Sequence, residues 1–516
     1  MNGAQALAGS LAEAGVDVCF MNPGTSEMHF VSALDAVPAM RGVLALFEGV
    51  ATGAADGYAR ITGRPAAVLL HLGPGLGNGL ANLHNARRAR SPVLVIVGGH
   101  ATGHVRYDAP LQSDIEAIAR TVSGWVHTSG TTRELARDAM RAVAAAARGQ
   151  VATLVLPADV SWGAGAARAP ARLVPPPEIP GDGQVQDVAE LLAAGGPAVL
   201  LLGGPALTGR GLRAASRIAV ATGARLFAET FPARMESGAG LPEVPRLGYL
   251  AEQATAQLAG ARQLILAGAR APVSFFAYPG QPGDLVPDGC TVTELAAADT
   301  DAEAALELLA AKVAAGTEPA LASASAPEPE DGPLTVHSLA AAIAATLPEH
   351  AIVADEANTS GVALRPALAT AARHTVLALT GGSIGQGLPV ATGAAIAAPG
   401  RPVLSVEADG SALYTIQALW TQAREQLNVT TVLINNAAYA ILRMELARTA
   451  AGEAGPRAAR MLDLSGPTPD FTQLSAGLGV PAVRVTTAAG LTAELRRAYA
   501  EPGPHLIEAI VPPIWP

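Results

Sequence analysis

Two polar turns near the C-terminal end of the sequence are spaced for metal and phosphate chemistry. An apolar run at 402–406 leads into Asp409-Gly410-Ser411, and after a helix-length segment a second apolar run at 430–434 leads into Asn435-Asn436. A strand, turn, helix, strand, turn order puts both polar turns at the carboxyl ends of neighbouring parallel strands, where open α/β sheets bind ligands. A carboxylate and an amide oxygen converging beside a small-residue turn suit a hard cation that holds a diphosphate. Magnesium needs few protein oxygens, because phosphate oxygens and water complete its octahedron.

Other candidates lie at strand ends. Glu48 closes the apolar run LALFE (44–48) and precedes the small-residue helix GVATGAADGYAR. A carboxylate kept from water there suits proton exchange, or simply complements the helix dipole. His71 closes the run VLLH ahead of LGPGLGN, and an imidazole is suited to shuttling a proton. Thr25 follows the tight Asn22-Pro23-Gly24 turn. Asn358 and Thr359, in DEANTS (355–360), sit where a loop enters a helix, a place for a cap or a phosphate contact.

The elements that position these residues read as α/β throughout. Near-continuous apolar strands separated by helices indicate parallel sheets covered on both faces. Two linkers rich in Pro, Ala and Gly or Ser, at 166–185 and 316–333, divide the 516 residues into domains at 1–165, 186–315 and 334–516. The fold class expected is therefore three doubly wound parallel-sheet domains. Expected strands include 65–75, ending in a glycine-rich loop, and 91–100, 197–207, 262–270, 351–356, 402–409 and 430–436.

Composition narrows the function classes. A net charge of −10 and a pI of about 5.5 argue against a nucleic-acid surface. The apolar runs are too short to span a bilayer, and the N-terminus has no basic leader, so a cytoplasmic protein without membrane partners is expected. Cys19 and Cys290 read as buried thiols. Lys312 is the one lysine, in an Ala-rich helix, which argues against imine chemistry.

The Asp409…Asn436 stretch resembles the diphosphate-binding motif of thiamine diphosphate-dependent enzymes, above all acetolactate synthase large subunits and benzoylformate decarboxylase. The resemblance covers the whole chain, in the domain order pyrimidine, middle, diphosphate. It implies thiamine diphosphate and Mg2+ as cofactors, with the metal on Asp409, the side chain of Asn436 and the backbone carbonyl of Ala438. Gly410, Ser411, Asn358 and Thr359 would contact the phosphates. Gly382 and Ile384, in TGGSIGQGLP (380–389), would grip the pyrimidine and bend the cofactor. Glu48 would bond the pyrimidine ring nitrogen. His71 and Thr25 match residues that face the substrate in the decarboxylase. Leu111 and Gln112 resemble an apolar-Gln step lining the synthase pocket, and Phe275 and Phe276 stand where the decarboxylase has a second histidine.

Two departures from the family pattern stand out, Ala408 and Ala437 in place of usual glycines. The middle domain lacks a recognisable flavin-contacting run, so FAD is not expected. The resemblance implies a 2-oxo acid decarboxylase or carboligase acting as a homodimer or homotetramer, with active sites between chains. A flavin oxidase and a non-catalytic cofactor-binding paralogue are the other readings.

Overall fold

The computed structural model describes residues 1–277, 280–325, 327, 329, 331–449 and 455–512. Tyr278 and Pro279, beside the expected Phe275–Phe276 pocket, and residues 326, 328 and 330 of the second linker lie outside the described residues.

Three parallel-sheet α/β units follow one another. The first contains β1 (Val18–Asn22), β2 (Arg41–Leu44), β3 (Ala66–Leu70), β4 (Val93–Gly99), β5 (Trp125–Thr128) and β6 (Val151–Pro157). They form one sheet in the order β2-β1-β3-β4-β6-β5, every pair parallel. The middle segment supplies β7 (Ala198–Leu202), β8 (Arg225–Ala228), β9 (Met235–Ser237), β10 (Gln263–Ala267) and β11 (Thr291–Ala296). Four of these make the parallel sheet β11-β10-β7-β8. The third unit holds β12 (Ala351–Glu356), β13 (His374–Ala378), β14 (Val403–Ala408), β15 (Val429–Asn435), β16 (Ala482–Val485) and β17 (His505–Ile510). Its order is β16-β17-β15-β14-β12-β13-β9, so β9 crosses from the middle segment and pairs antiparallel with β13. Burial on both faces explains the unbroken apolar runs: every residue of β3, β4 and β6 is buried.

Two local expectations shift. The run 44–48 is not a strand ending on Glu48; β2 ends at Leu44, and Glu48 opens the helix Glu48–Thr62. β2 follows β1 only as far as the pair Met21↔Leu44, after which the chain turns away from the sheet. The glycine-rich segment after His71 is the first turn of the helix Leu72–Ala89, not a loop. Of the thiols, Cys19 is buried but Cys290 is only half-buried, near the exposed start of β11.

The first and third units share one hydrophobic core. The helix Glu48–Thr62 meets the helix Gly387–Ala397, with Val50, Ala54 and Tyr58 packed among Val390, Ala391 and Ala394. Both helices are rich in small residues, which lets their backbones approach closely; a side chain at Gly57 or Gly393 would overlap the opposing backbone. Arg60 closes one end of this seam. It is buried, pairs with Asp56 (2.6 and 2.8 Å), and donates to the Ala378 carbonyl (2.8 Å) and Thr380 Oγ1 (3.0 Å). Gln386 Nε2 also donates to Asp56 (2.7 Å). A buried charge pair is tolerable when its remaining groups are satisfied in this way. The consequence is that both ends of the loop 380–386 are fastened to the first unit.

Candidate active site

Asp409 is the first residue of the helix Asp409–Thr415, directly after β14. It is buried, and its oxygens accept the N–H groups of Gly410 (2.8 Å) and Asn436 (3.2 Å). Burial raises its carboxyl above the ordinary value, and the surrounding backbone N–H groups pull it back. Asp409 belongs to no ion pair among the described residues, so its charge lacks a cationic partner. The parallel pairing of β14 with β15, in register through Ala408↔Ile434, brings Asn436 beside it. Asn436 Oδ1 accepts the Ala438 N–H (3.0 Å), and its Nδ2 reaches Ser360 (3.4 Å). Asn358 Nδ2 donates to Ser411 Oγ (2.8 Å). The loop after β12 therefore touches both polar turns, and Asp409, Asn436, Ala438, Asn358 and Ser411 form one cluster. Thr359 is half-buried beside them. Gly410 lies under the Tyr439 ring, where a side chain would come within 2.5 Å of the ring.

The two adjacent asparagines face different partners. Asn435 faces the other way. Its Nδ2 donates to buried Glu508 (2.7 Å), which Arg484 also engages (2.7 Å), and its Oδ1 accepts the Ala437 N–H (3.0 Å). Asn435 thus shapes the turn that presents Asn436. The two alanine departures also separate. Ala408 has ordinary extended backbone (φ −87°), whereas Ala437 is held at φ +54°, a region that costs an L-residue about 1–2 kcal/mol.

The second cluster is in the first unit. His71 follows β3 and Glu48 opens the neighbouring helix; a side chain at Gly75 would lie 3.5 Å from both Glu48 Oε1 and His71 Cβ. Glu48 is half-buried rather than buried, and accepts from Asn78 Nδ2 (3.1 Å). His71 Nδ1 lies 2.8 Å from Glu27 Oε2 and 3.2 Å from Ser26 Oγ. Thr25 is exposed, and its neighbour Ser26 is the residue that reaches His71. Buried Glu27 and Ser26 were missed from sequence. The available signal was a carboxylate two residues beyond Thr25, at a spacing that only a turn brings back under a strand end. Leu72, next to His71, holds φ +50°, a strained value for a branched residue.

The loop 380–386 lies between these clusters. Asn82 Nδ2 donates to the carbonyls of both Gly49 (2.8 Å) and Gly385 (3.1 Å), tying the loop to the Glu48 helix. Gly382 is exposed with φ +73°, and a side chain there would come within 2.6 Å of the Phe275 ring. Phe275 stacks edge-on with Phe276 (4.9 Å) and Phe231 (5.8 Å) and lies 5.2 Å from Tyr249. Ile384 is half-buried. Gln112 and exposed Leu111 lie farther round, on a segment whose Ser113 packs against Gly73. No hydrogen bond or ion pair among the described residues joins Glu48 or His71 to Asp409 or Asn436.

A further pair of carboxyls lies beneath the loop. Glu356 and Glu407 are register partners on β12 and β14, both buried. Glu356 accepts the Gly385 N–H (2.7 Å) and the Gly387 N–H; burial nevertheless pushes it up to about 7. Glu407 is raised well above the ordinary range, by burial first and then by the charge of Glu356, and neither of its oxygens has a well-formed hydrogen bond among the described residues. In the middle unit, Glu229 takes the Gly204 N–H and is pushed by burial to about 7.

Residues 1–120 match the family described as thiamine pyrophosphate enzyme, N-terminal TPP binding domain, and residues 357–509 match its C-terminal TPP binding domain. A Mycobacterium tuberculosis protein, IlvX, described provisionally as an acetolactate synthase large subunit, is 60% identical over 514 residues, 99% of each chain. The chain belongs to the thiamine diphosphate-dependent enzymes. Benzoylformate decarboxylase from Pseudomonas aeruginosa is 29% identical over 97% of each chain. Among solved structures, the thiamine diphosphate-dependent 4-hydroxybenzoylformate decarboxylase of Rhodococcus jostii RHA1 superposes with a TM-score of 0.85 at 26% identity, covering 99% of each chain. Among the described residues no helix is long and apolar enough to cross a membrane.

Proposed function

We propose that the protein is a thiamine diphosphate- and magnesium-dependent 2-oxo acid decarboxylase and carboligase of the acetolactate synthase type. The observation that carries this is Asp409, a buried carboxylate at a strand end with no cationic partner among the described residues and with Asn436, Asn358 and Ser411 gathered around it. That donor set, oxygen ligands on a small-residue turn, fits magnesium and a diphosphate. Asp409, the Asn436 side chain and the Ala438 carbonyl would hold the metal, and Gly382, Ile384 and Glu48 the pyrimidine. When bound, thiamine diphosphate supplies the electron sink that lets a 2-oxo acid lose its carboxylate as carbon dioxide.

The chain's own groups would do the rest. Glu48 exchanges a proton with the pyrimidine ring nitrogen, and His71 orients the substrate acid or moves a proton at Nε2. Because no hydrogen bond or ion pair among the described residues joins Glu48 or His71 to Asp409 or Asn436, the complete site is proposed to combine the first unit of one protomer with the third of its partner, in a homodimer or homotetramer.

With Phe275 and Phe276 in the middle unit, His71 is the one titratable group proposed to face the substrate, and proton delivery after decarboxylation is slow enough for ligation to compete. A panel of 2-oxo acids, with thiamine diphosphate and magnesium, tests this by scoring carbon dioxide, aldehyde and 2-hydroxyketone separately. Ligated product from at least one acid is expected. The second reading, an aldehyde-releasing lyase of the benzoylformate decarboxylase type, is favoured by the way His71 is held. A large excess of aldehyde over hydroxyketone would establish it instead.

A further inference from the structure

Glu27 lies in the short turn Thr25–Glu27 after β1, fully buried, and is surrounded by donors. Its Oε2 accepts the Gly24 N–H (2.8 Å) and faces His71 Nδ1 (2.8 Å); its Oε1 accepts the Ser26 hydroxyl (2.6 Å). Two neighbouring positions are emptied to make room. A side chain at Gly98, in β4, would overlap the Glu27 carboxylate, and one at Gly24 would overlap the His71 ring. These two strand-end glycines leave the volumes that the carboxylate and the imidazole occupy. An ionised carboxylate only accepts hydrogen bonds, so the Nδ1 facing it must carry a hydrogen. The opposite nitrogen, Nε2, is then the one left to exchange protons, on a ring whose side chain is 23% exposed while Glu27 is not exposed at all.

We propose that Glu27 is the positioning residue of this site: it fixes His71 as the Nδ1–H tautomer and aims Nε2 at the substrate. The proposal rests on the role given above to His71. In the neutral ring Nε2 accepts a proton; in the protonated ring the same atom donates it. One proton enters and leaves at Nε2 while the Nδ1–H stays on Glu27, so the carboxylate is unchanged through the cycle. Ser26 braces the carboxylate at Oε1, and its Oγ also lies 3.2 Å from His71 Nδ1.

The test uses the full-length protein with histidine labelled in 15N, together with steady-state kinetics. The ring signals of His71, assigned by their loss in His71→Ala, should show the Nδ1–H tautomer above the imidazole titration in the wild type and a mixture of tautomers in Glu27→Gln, whose amide both donates and accepts. Glu27→Gln should lower kcat by about 10²-fold, the scale of a misplaced acid–base group, with KM within about threefold. Glu27→Asp should recover part of the loss. In a His71→Ala background Glu27→Gln should cost less than about twofold, because the group it positions is gone. A wild-type ring in the Nε2–H form overturns the proposal, as does an equal loss in both backgrounds. If no 2-oxo acid is turned over at all, the functional reading fails, and the tautomer still decides whether Glu27 positions His71.

Discussion

Glu27 and Asp409 are both buried carboxylates that follow a parallel strand, yet the chain treats them differently. Glu27 is met by an N–H, a hydroxyl and an imidazole, all from its own unit. Among the described residues Asp409 is met only by backbone N–H groups, and burial leaves its carboxyl raised. A carboxylate whose donors are all built in is part of a fixed proton-handling device. A carboxylate left without a cation is stable in its charged form only when one arrives from outside. This difference supports the proposed division of work, acid–base chemistry in the first unit and cofactor retention in the third.

The largest expected effect separates the two ends by what is lost. Asp409→Asn should weaken magnesium-dependent thiamine diphosphate binding by about 10²–10³-fold, the cost of removing one partner of a buried charge pair. Calorimetry on the same preparation should find binding to Glu27→Gln unchanged. Equal loss in both variants would break the division. Next in size, His71→Ala should reduce kcat by about 10²-fold while leaving cofactor affinity intact, read from initial rates and the same titration.

Smaller effects sharpen the account of the third unit. Ala437→Gly relieves a positive φ and should stabilise the folded chain by about 1 kcal/mol, seen as a higher denaturant midpoint; Ala408→Gly, at an ordinary φ, should gain nothing. The Glu356–Glu407 pair gives a pH dependence. The folded state holds the Glu356 proton more tightly than the unfolded chain, so its contribution is full at low pH and is lost as pH rises from the ordinary carboxylate range through about 7; Glu407, raised well above that range by burial and by Glu356, shifts in the same direction. The change in Tm on Glu356→Gln should therefore be more favourable at pH 8 than at pH 5. An equal change at both would mean that Glu356 is not protonated in the fold.

The long apolar strands were legible because burial on both faces leaves a continuous signal, and Asp409 and Asn436 were legible because a βαβ unit fixes their spacing. The Glu48 strand was misjudged because LALFE is apolar enough for a strand, while pairing with β1 stops at Leu44. Glu27 was overlooked because its partner is 44 residues away and only the β1–β3 pairing brings the two together. The crossing of β9 into the third sheet was equally invisible: three residues carry no periodicity, and the pairing is made across the domain division. Glu407 carried no signal in the sequence, since nothing in one strand shows which carboxylate lies on the next.

The central claim is that Glu48 activates a cofactor held by Asp409 and Asn436. Glu48→Gln measures it most directly, by following thiamine diphosphate binding and carbon dioxide release from a 2-oxo acid that the wild type consumes. The account predicts a folded variant that binds the cofactor with magnesium and releases no carbon dioxide above background. Wild-type release by Glu48→Gln would contradict it.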